Sequence, residues 1–345
     1  MADGMYRIGI VGAGSLVGKE LADELQDSLL AASDFILLDD EEVTGQVAAL
    51  GDEAAFIQRI EPGSFDRMDF VFFAGDAAST LKHWVAARHS GASLVDLTGA
   101  LEQEKGVLVR APLVVDALKG KGSDGPDLNT PAVVPAHAVA LMLGLVAARV
   151  GKSLSVRSIA ATVVEPASQH GRQAMDELHQ QTVNLLSFQT LPREQYDAQV
   201  AFNVLPSLGE AAKVKLLETE ERISRHYGMI GAGSLAALDL ELVQAPVFHG
   251  YVASVLLELD DDATVEDVER ALQGDSIDIV AGDSEPPSNL SAAGQEDIMV
   301  RVRTAGVGSR RFWIWVAADN LKLSALNAIA CANELKRLRP RGKVQ

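Results

Sequence analysis

Apolar positions along the chain follow two different rhythms, separated by the turn-rich stretch Gly120–Pro126. In the first third, short apolar runs alternate with amphipathic stretches. Arg7–Val11 (RIGIV) reads as a strand that ends in glycines. Lys19–Leu30 has helical spacing, with Leu21, Leu25 and Leu29 on one stripe. Phe35–Leu38 predicts a second strand, stopped by Asp39, Asp40, Glu41 and Glu42. Asp69–Ala74 predicts a third, Ala78–His89 a helix and Ser93–Leu97 a further strand. Strands that alternate with helices imply crossover units and a parallel sheet.

Past the turn the style changes. Val139–Val150 reads as an apolar helix. Long strand-like stretches follow at Ser155–Glu165, Asp239–Leu259 and Phe312–Ala318, with amphipathic helices at Arg172–Leu186 and Glu210–His226. Few helices separate these strands, so a mixed or antiparallel sheet is expected. Ser284–Gly294 is a polar loop, and Asn320–Leu338 predicts a last helix. No internal repeat is visible. A chain of 345 residues with 48% hydrophobic residues is long enough for two domains with real cores.

Charge narrows the partners. With 30 basic and 48 acidic residues, the net charge of −18 argues against a nucleic-acid or anionic-membrane partner. The basic end (Lys336, Arg337, Arg339, Arg341, Lys343) reads as a solvated helix terminus. The single cysteine, Cys331, cannot form an intrachain disulfide and fits a cytoplasmic setting. Met1–Tyr6 leads straight into a strand rather than a signal segment, and the apolar run Ala138–Ala148 is too short to span a bilayer.

The loop Gly12-Ala13-Gly14-Ser15-Leu16-Val17-Gly18 follows a strand and opens a helix. Glycines there let the backbone approach a pyrophosphate, and the helix terminus supplies amide donors. The spacing is G-x-G-x-x-x-G, which departs from the stricter dinucleotide pattern and misses the P-loop pattern. Gly12, Gly14, Ser15, Leu16 and Val17 are the candidate cofactor residues. Asp39 lies 21 residues after Gly18, where a carboxylate would bond the ribose hydroxyls of NAD. Asp39, Asp40, Glu41 and Glu42 together would repel the extra phosphate of NADP. A tight turn beside a charged loop, binding nothing, is the competing reading.

Several segments resemble the aspartate-semialdehyde dehydrogenase family over nearly the whole chain. They are RIGIVGAGSLVGKEL at Arg7–Leu21, Gly171–Leu178, the run Ala201-Phe202-Asn203-Val204-Leu205-Pro206, Glu218-Thr219, Ala245–Gly250, and Ala318-Asp319-Asn320-Leu321 followed by Ala325–Ala328. The resemblance implies a Rossmann-type doubly wound parallel sheet over 1–132, completed by a C-terminal helix at 320–345. It also implies a second α+β domain over 133–319, whose mixed or antiparallel sheet serves dimerisation. A homodimer is therefore the expected partner. Asn320 joins the cofactor candidates, and Glu218 and Gln244 are the substrate-side candidates. The family reaction is reductive dephosphorylation of aspartyl phosphate with NADP, through a cysteine thioester and a histidine acid/base.

The departures from that pattern are coordinated. The nucleophile position falls on Ala136 and the acid/base position on Tyr251. Glu165 stands where the family places a glutamine. His249, two residues before Tyr251, would share its face on a strand and could substitute, as could His137. Arginines that would grip carboxylate and phosphate fall on Gln244 and Glu102, and a lysine position falls on Val214, flanked by Lys213 and Lys215. Each lost charge-assisted contact costs on the order of 2–4 kcal/mol. Ser15 replaces a family glycine.

The seven histidines His83, His89, His137, His170, His179, His226 and His249 show no metal-ligand spacing, so no metal is expected. Ser168, His170 and Glu165 could form a serine–histidine–acid device only if the fold arranged them so. Two readings stand. One is a homologue without the family activity, resembling the Usg group that lacks the catalytic cysteine, with NAD as its candidate dinucleotide. The other is an NAD(P)-dependent oxidoreductase acting on a different carbonyl substrate, with the proton supplied by Tyr251, His249, His137 or Glu165.

Overall fold

A computed structural model describes residues 6–31, 33–40, 47–50, 53–119, 121–306 and 310–338. The expectations for Met1, Glu41, Glu42, Gly120 and the tail residues Arg339, Arg341 and Lys343 lie outside them. The first elements are β1 (Arg7–Val11), α1 (Leu16–Gln26), β2 (Asp34–Asp39), β3 (Val47–Leu50), β4 (Glu53–Phe56) and β5 (Gln58–Arg59). They continue with β6 (Phe70–Phe73), α2 (Ala77–His89), β7 (Ser93–Asp96), β8 (Leu108–Arg110), α3 (Pro112–Ala117) and β9 (Val133–Pro135). Next come α4 (Ala138–Gly151), β10 (Val156–Glu165), a 3-10 turn (Ala167–His170), α5 (Arg172–Leu186), α6 (Leu216–Gly231) and β11 (Ala237–Gln244). The last are β12 (Tyr251–Leu259), α7 (Val265–Leu272), β13 (Ile277–Ile279), β14 (Ile298–Thr304), β15 (Arg311–Ala318) and α8 (Asn320–Leu338).

The chain divides into two compact units. The first takes residues 1–113, 123–136 and 324–345, and the second takes 114–122 and 137–323. In the first unit, seven strands form a parallel sheet in the order β5-β2-β1-β6-β7-β9-β8. β3 and β4 form a separate antiparallel hairpin. All four residues of β6 (Phe70–Phe73) are buried, as a central parallel strand covered on both faces requires. The core joins Ile8, Ile10, Leu21, Leu25 and Phe72 with Ala325, Ala328 and Cys331 of α8. α1 starts earlier than its apolar stripe suggested, because Ser15 caps it by accepting from Gly18 N. It also stops at Gln26, which leaves Leu29 78% exposed rather than in the stripe.

The second unit holds a six-stranded mixed sheet in the order β11-β10-β12-β15-β14-β13. β10–β11 and β13–β14 pair in parallel, and the other pairs are antiparallel. α4 contacts β10, α6 contacts β11 and α7 contacts β14. Every residue of α4 except Arg149 and the terminal Gly151 is buried, which explains its apolar sequence. The stretch Asp239–Leu259 is two strands, not one. It breaks over Ala245–Gly250, where Gly250 has φ +84° and a Cβ would come 2.9 Å from Asn289 O. The helix expected at Glu210–His226 instead starts at Leu216. The amides before it are already engaged: Ala211 N with Asp197 Oδ2, and Lys213 N and Val214 N with Gln195 O. Among the described residues, no helix is long and apolar enough to cross a membrane.

Candidate functional site

Two groups of candidate residues stand out, one in each unit. In the first unit the strand order reverses at β1 and β6, and ligands of such sheets bind at the carboxyl ends of those strands. Gly12 (φ +80°) stands there against Gly75, and a Cβ on it would lie 2.2 Å from Gly75 Cα. A Cβ on Gly18 would lie 2.2 Å from Gly12 O, so glycine also sets the approach of α1 to the loop. Ser15 Oγ accepts from Gly18 N and donates to Ala74 O at 2.6 Å. The amides of Leu16 and Val17 lie in the first turn of α1, where no helical acceptor exists. A Cβ-free approach and first-turn amides suit a dinucleotide pyrophosphate.

Asp39 turns its carboxylate onto this loop. Its Oδ2 accepts from Gly14 N at 3.1 Å and its Oδ1 from Asp40 N at 2.9 Å. Burial raises the Asp39 carboxyl above the usual range, opposed by those two amides and reinforced by the Asp40 and Asp76 carboxylates. Asp40 goes the other way, to about 2, chiefly because Lys82 Nζ donates to it. The distance is 2.9 Å, and His83 Nε2 lies 3.3 Å from the same oxygen. A carboxyl held below its unfolded value stabilises the fold above that value. The Asp40 contribution is therefore present above about pH 4 and lost as pH falls toward 2. The pair is exposed, so the effect is under about 1 kcal/mol. Acid unfolding of Asp40→Asn should differ from the parent at pH 5 and converge with it near pH 2; a constant offset would refute this.

In the second unit, Glu165, Gln244 and Tyr251 meet at one end of the six-stranded sheet. Glu165 and Gln244 are direct register partners, and all three are completely buried. Gln244 Nε2 donates to Glu165 O and to Ala245 O, both at 3.1 Å. Gln244 Oε1, the Tyr251 hydroxyl and both Glu165 carboxylate oxygens are buried without a hydrogen bond of good geometry. Glu165 Oε1 does lie 3.1 Å from His170 Nε2, an ion contact outside hydrogen-bond angles. Burial pushes the Tyr251 phenol well above its ordinary range, and the Glu165 carboxylate beside it adds to the rise.

His137 caps α4 by accepting from Val139 N at 3.3 Å, and its own amide donates to His226 Nδ1 at 3.0 Å. Its ring centroid stands 6.1 Å from that of Tyr251. Burial holds its imidazole well below the usual range, and Arg222, His226 and His170 add to this, so it is neutral.

His249 is not on a strand with Tyr251, because β12 begins at Tyr251. The shared-face argument therefore fails. His249 Nε2 instead lies 2.8 Å from Asp319 Oδ2, and its Nδ1 lies 3.2 Å from Ser168 Oγ. Asn320 is wholly buried. Its Oδ1 accepts from Gly250 N and from Ser168 Oγ, both at 3.0 Å, and its Nδ2 donates to Gln169 Oε1. Glu218 is exposed in the first turn of α6; the α6 residue that reaches β11 is Glu220, which accepts from Leu242 N at 2.7 Å. Sequence spacing carried no sign of Glu220, Asp319 or Ser168 in these pairings.

Back in the first unit, Ala136 is 3% exposed and donates its amide to Arg110 O at 2.7 Å. Cys331 is completely buried, with Sγ 3.8 Å from Arg110 O. Burial pushes its thiol far above the usual range, and the Glu334 carboxylate adds to this. Among the described residues, no group of three or more His, Cys, Asp and Glu is placed to hold a metal.

Comparison with known proteins matches residues 7–124 to the family described as "Semialdehyde dehydrogenase, NAD binding domain". Residues 148–323 match "Semialdehyde dehydrogenase, dimerisation domain". A USG-1 protein homolog of Pseudomonas aeruginosa is 27% identical over 325 residues, covering 93% of this chain and 95% of its own. An aspartate-semialdehyde dehydrogenase of Rickettsia conorii is 24% identical over 336 residues, covering 96% and 97%. The solved structure of a probable aspartate-semialdehyde dehydrogenase from Pseudomonas aeruginosa superposes with a TM-score of 0.85 at 27% identity, covering 97% of this chain and 99% of that one.

Proposed function

The chain belongs to the semialdehyde dehydrogenase family, and from that premise we propose that it is a dimeric, dinucleotide-binding member that does not run the family's cysteine-thioester reaction. One observation carries this reading. The only thiol in the sequence is Cys331, and it is core filling on α8 in the first unit. A buried thiol with a raised pKa supplies no thiolate nucleophile. At the positions that resemblance assigns to the nucleophile and the acid/base stand the methyl of Ala136 and the buried phenol of Tyr251. Gln244 replaces an anion-gripping arginine, and its amide is already tied to backbone carbonyls.

NAD is the better fit of the two dinucleotides. Gly12, Gly14, Ser15, Leu16 and Val17 would hold the pyrophosphate and Asp39 the ribose hydroxyls. Asp39, Asp40 and Asp76 would make the added phosphate of NADP costly. Bound NAD would supply a hydride acceptor. Calorimetric titration tests this: NAD should bind at least about tenfold more tightly than NADP, and the reverse order would refute the assignment. A second reading, an oxidoreductase acting on another carbonyl compound, is favoured by neutral His137 beside Tyr251. It requires substrate-dependent NADH turnover that His137→Gln abolishes.

Self-association follows from the six-stranded sheet. Its face away from α4, α6 and α7 carries half-buried Leu256 and Trp313 and the 41%-exposed Trp315. On the β11 side this face carries Asp239 and Glu241, and on the β14–β15 side Arg301, Arg303 and Arg311. A two-fold axis parallel to the strands would lay the acidic side of one copy over the basic side of the other. An axis across the strands would oppose like charges. The pattern therefore favours aligned face-to-face packing of two sheets about the first axis. Trp315→Glu should weaken the dimer at least about 100-fold in sedimentation velocity. Glu241→Arg should weaken it too, and adding Arg303→Glu should restore it. A Trp315→Glu protein that stays dimeric at low micromolar concentration would defeat this interface.

A further inference from the structure

The backbone that follows β10 does something neither unit's family role requires. Ala167 N and Ser168 N donate to Val247 O and Phe248 O at 2.8 and 2.9 Å, which stitches the 3-10 turn to the segment before β12. That stitching brings His249 beside Ser168, 81 residues away in sequence, with Nδ1 and Oγ 3.2 Å apart. The other ring nitrogen meets Asp319 at 2.8 Å. The serine–histidine–acid arrangement therefore exists, built from His249 and Asp319 rather than from His170 and Glu165.

Each member is held for its part. Asp319 accepts from Gly294 N at 2.8 Å and from Leu321 N and Lys322 N at 3.0 Å. Burial opposes its charge, but His249 and these amides outweigh burial and hold the carboxyl below its usual range. An ionised Asp319 fixes the proton of neutral His249 on Nε2, which leaves Nδ1 as the acceptor facing the serine hydroxyl. The hydroxyl gives its single proton to Asn320 Oδ1 at 3.0 Å, so the serine is readied when its O–H turns from Asn320 to His249 Nδ1, 3.2 Å away. Four residues on, α5 begins at Arg172 behind Gly171 (φ +83°), with no side-chain cap, so the amides of exposed Arg172 and Gln173 stand free of a capping side chain. Ser168 is 2% exposed and the His249 side chain 29% exposed, so the histidine is the member of the trio that solvent reaches and a short acyl group is the substrate least hindered by this burial.

We propose that Ser168 is an acyl-accepting nucleophile, with His249 as its general base and Asp319 as its positioning residue, acting on short-chain carboxylic esters. Ser168 Oγ attacks the ester carbonyl carbon while its proton passes to His249 Nδ1. The carbon–oxygen bond to the leaving alcohol breaks, and that oxygen takes the proton from His249. Water then repeats the sequence on the acyl-serine, which releases the carboxylic acid and restores the hydroxyl. No oxidation is involved and no dinucleotide is needed, so the outcome is independent of the dehydrogenase reading.

The test uses the full chain, a fluorophosphonate probe with peptide mapping by mass spectrometry, and p-nitrophenyl acetate hydrolysis. The expected result is a single adduct on Ser168 that is absent in Ser168→Ala, together with hydrolysis that Ser168→Ala abolishes. His249→Gln should slow labelling at least about 100-fold. Asp319→Asn, which keeps a capping side chain on α8, should slow it as well, with circular dichroism unchanged in both. No adduct on Ser168, an adduct elsewhere, or equal labelling of parent and His249→Gln would each overturn the proposal.

Discussion

Replacing Glu334 with alanine should cost about 3–5 kcal/mol of stability in the first unit. Its partner Arg110 is 2% exposed, and the pair is bidentate: Nη2 meets Oε1 at 2.5 Å and Nε meets Oε2 at 3.0 Å. The third nitrogen, Nη1, donates to the carbonyls of Ser123 and Asp124 at 2.6 and 3.0 Å. Removing the carboxylate leaves a guanidinium buried with no compensating charge, which costs far more than an exposed pair would yield. The same residue's backbone carbonyl takes Ala136 N, Asn327 Nδ2 and the Cys331 thiol, so loosening Arg110 also loosens the strand end that carries Ala136. The urea midpoint of the Glu334→Ala protein measures the cost. Replacing both partners with apolar residues, Arg110→Met with Glu334→Leu, should be much milder than the single change. A single-variant loss below about 1 kcal/mol would show that the pair does not hold α8 as described.

Gly12→Ala should be nearly as damaging, and for a different reason. Alanine at φ +80° costs about 1–2 kcal/mol from backbone sterics alone. The added Cβ would also sit 2.2 Å from both Gly75 N and Gly75 Cα, and backbone atoms cannot rotate away as a side chain can. The total should exceed about 3 kcal/mol, and NAD binding should vanish because the loop must part from Gly75. Gly91→Ala is the control. Its φ is +87°, but a Cβ there meets nothing within 4 Å, so only the conformational cost applies. Thermal midpoints of the two variants separate clash from strain. Equal midpoints, or unchanged NAD titration in Gly12→Ala, would show that the β1 and β6 turns do not need their close approach.

Much of the architecture was legible because local pattern and tertiary role agree. β6 reads as a buried run because a central parallel strand is covered on both faces, and α4 reads as uniformly apolar for the same reason. The run Arg172–Leu186 was bounded correctly as α5. Errors arose where a neighbour overrides the local signal. Leu29 continues the stripe of α1 in sequence, yet the helix has already ended. Glu210–Val214 has helical spacing, but loop contacts claim its amides. Gly250 and Asn289 divide what looks like one long strand.

The site was legible only as a set of departures. Ala136, Glu165, Gln244 and Tyr251 could be picked out because the family resemblance assigns their positions, Ala136 just before the apolar helix α4 and the others at the ends of β10, β11 and β12. The pairings of those residues could not. His170 faces Glu165 across the tight turn that follows β10, and His249 faces Asp319 and Ser168 through contacts that span 70 and 81 residues. No spacing rule reports such contacts, since turn geometry alone creates them.

The most direct test of the account is a rate. Purified protein would be mixed with aspartate semialdehyde, phosphate and either NADP or NAD, and the absorbance of the reduced nicotinamide followed. With Cys331 locked in the core and Ala136 at the position that resemblance assigns to the nucleophile, the account predicts no reduction above the protein-free control with either dinucleotide. Phosphate- and semialdehyde-dependent turnover would contradict it.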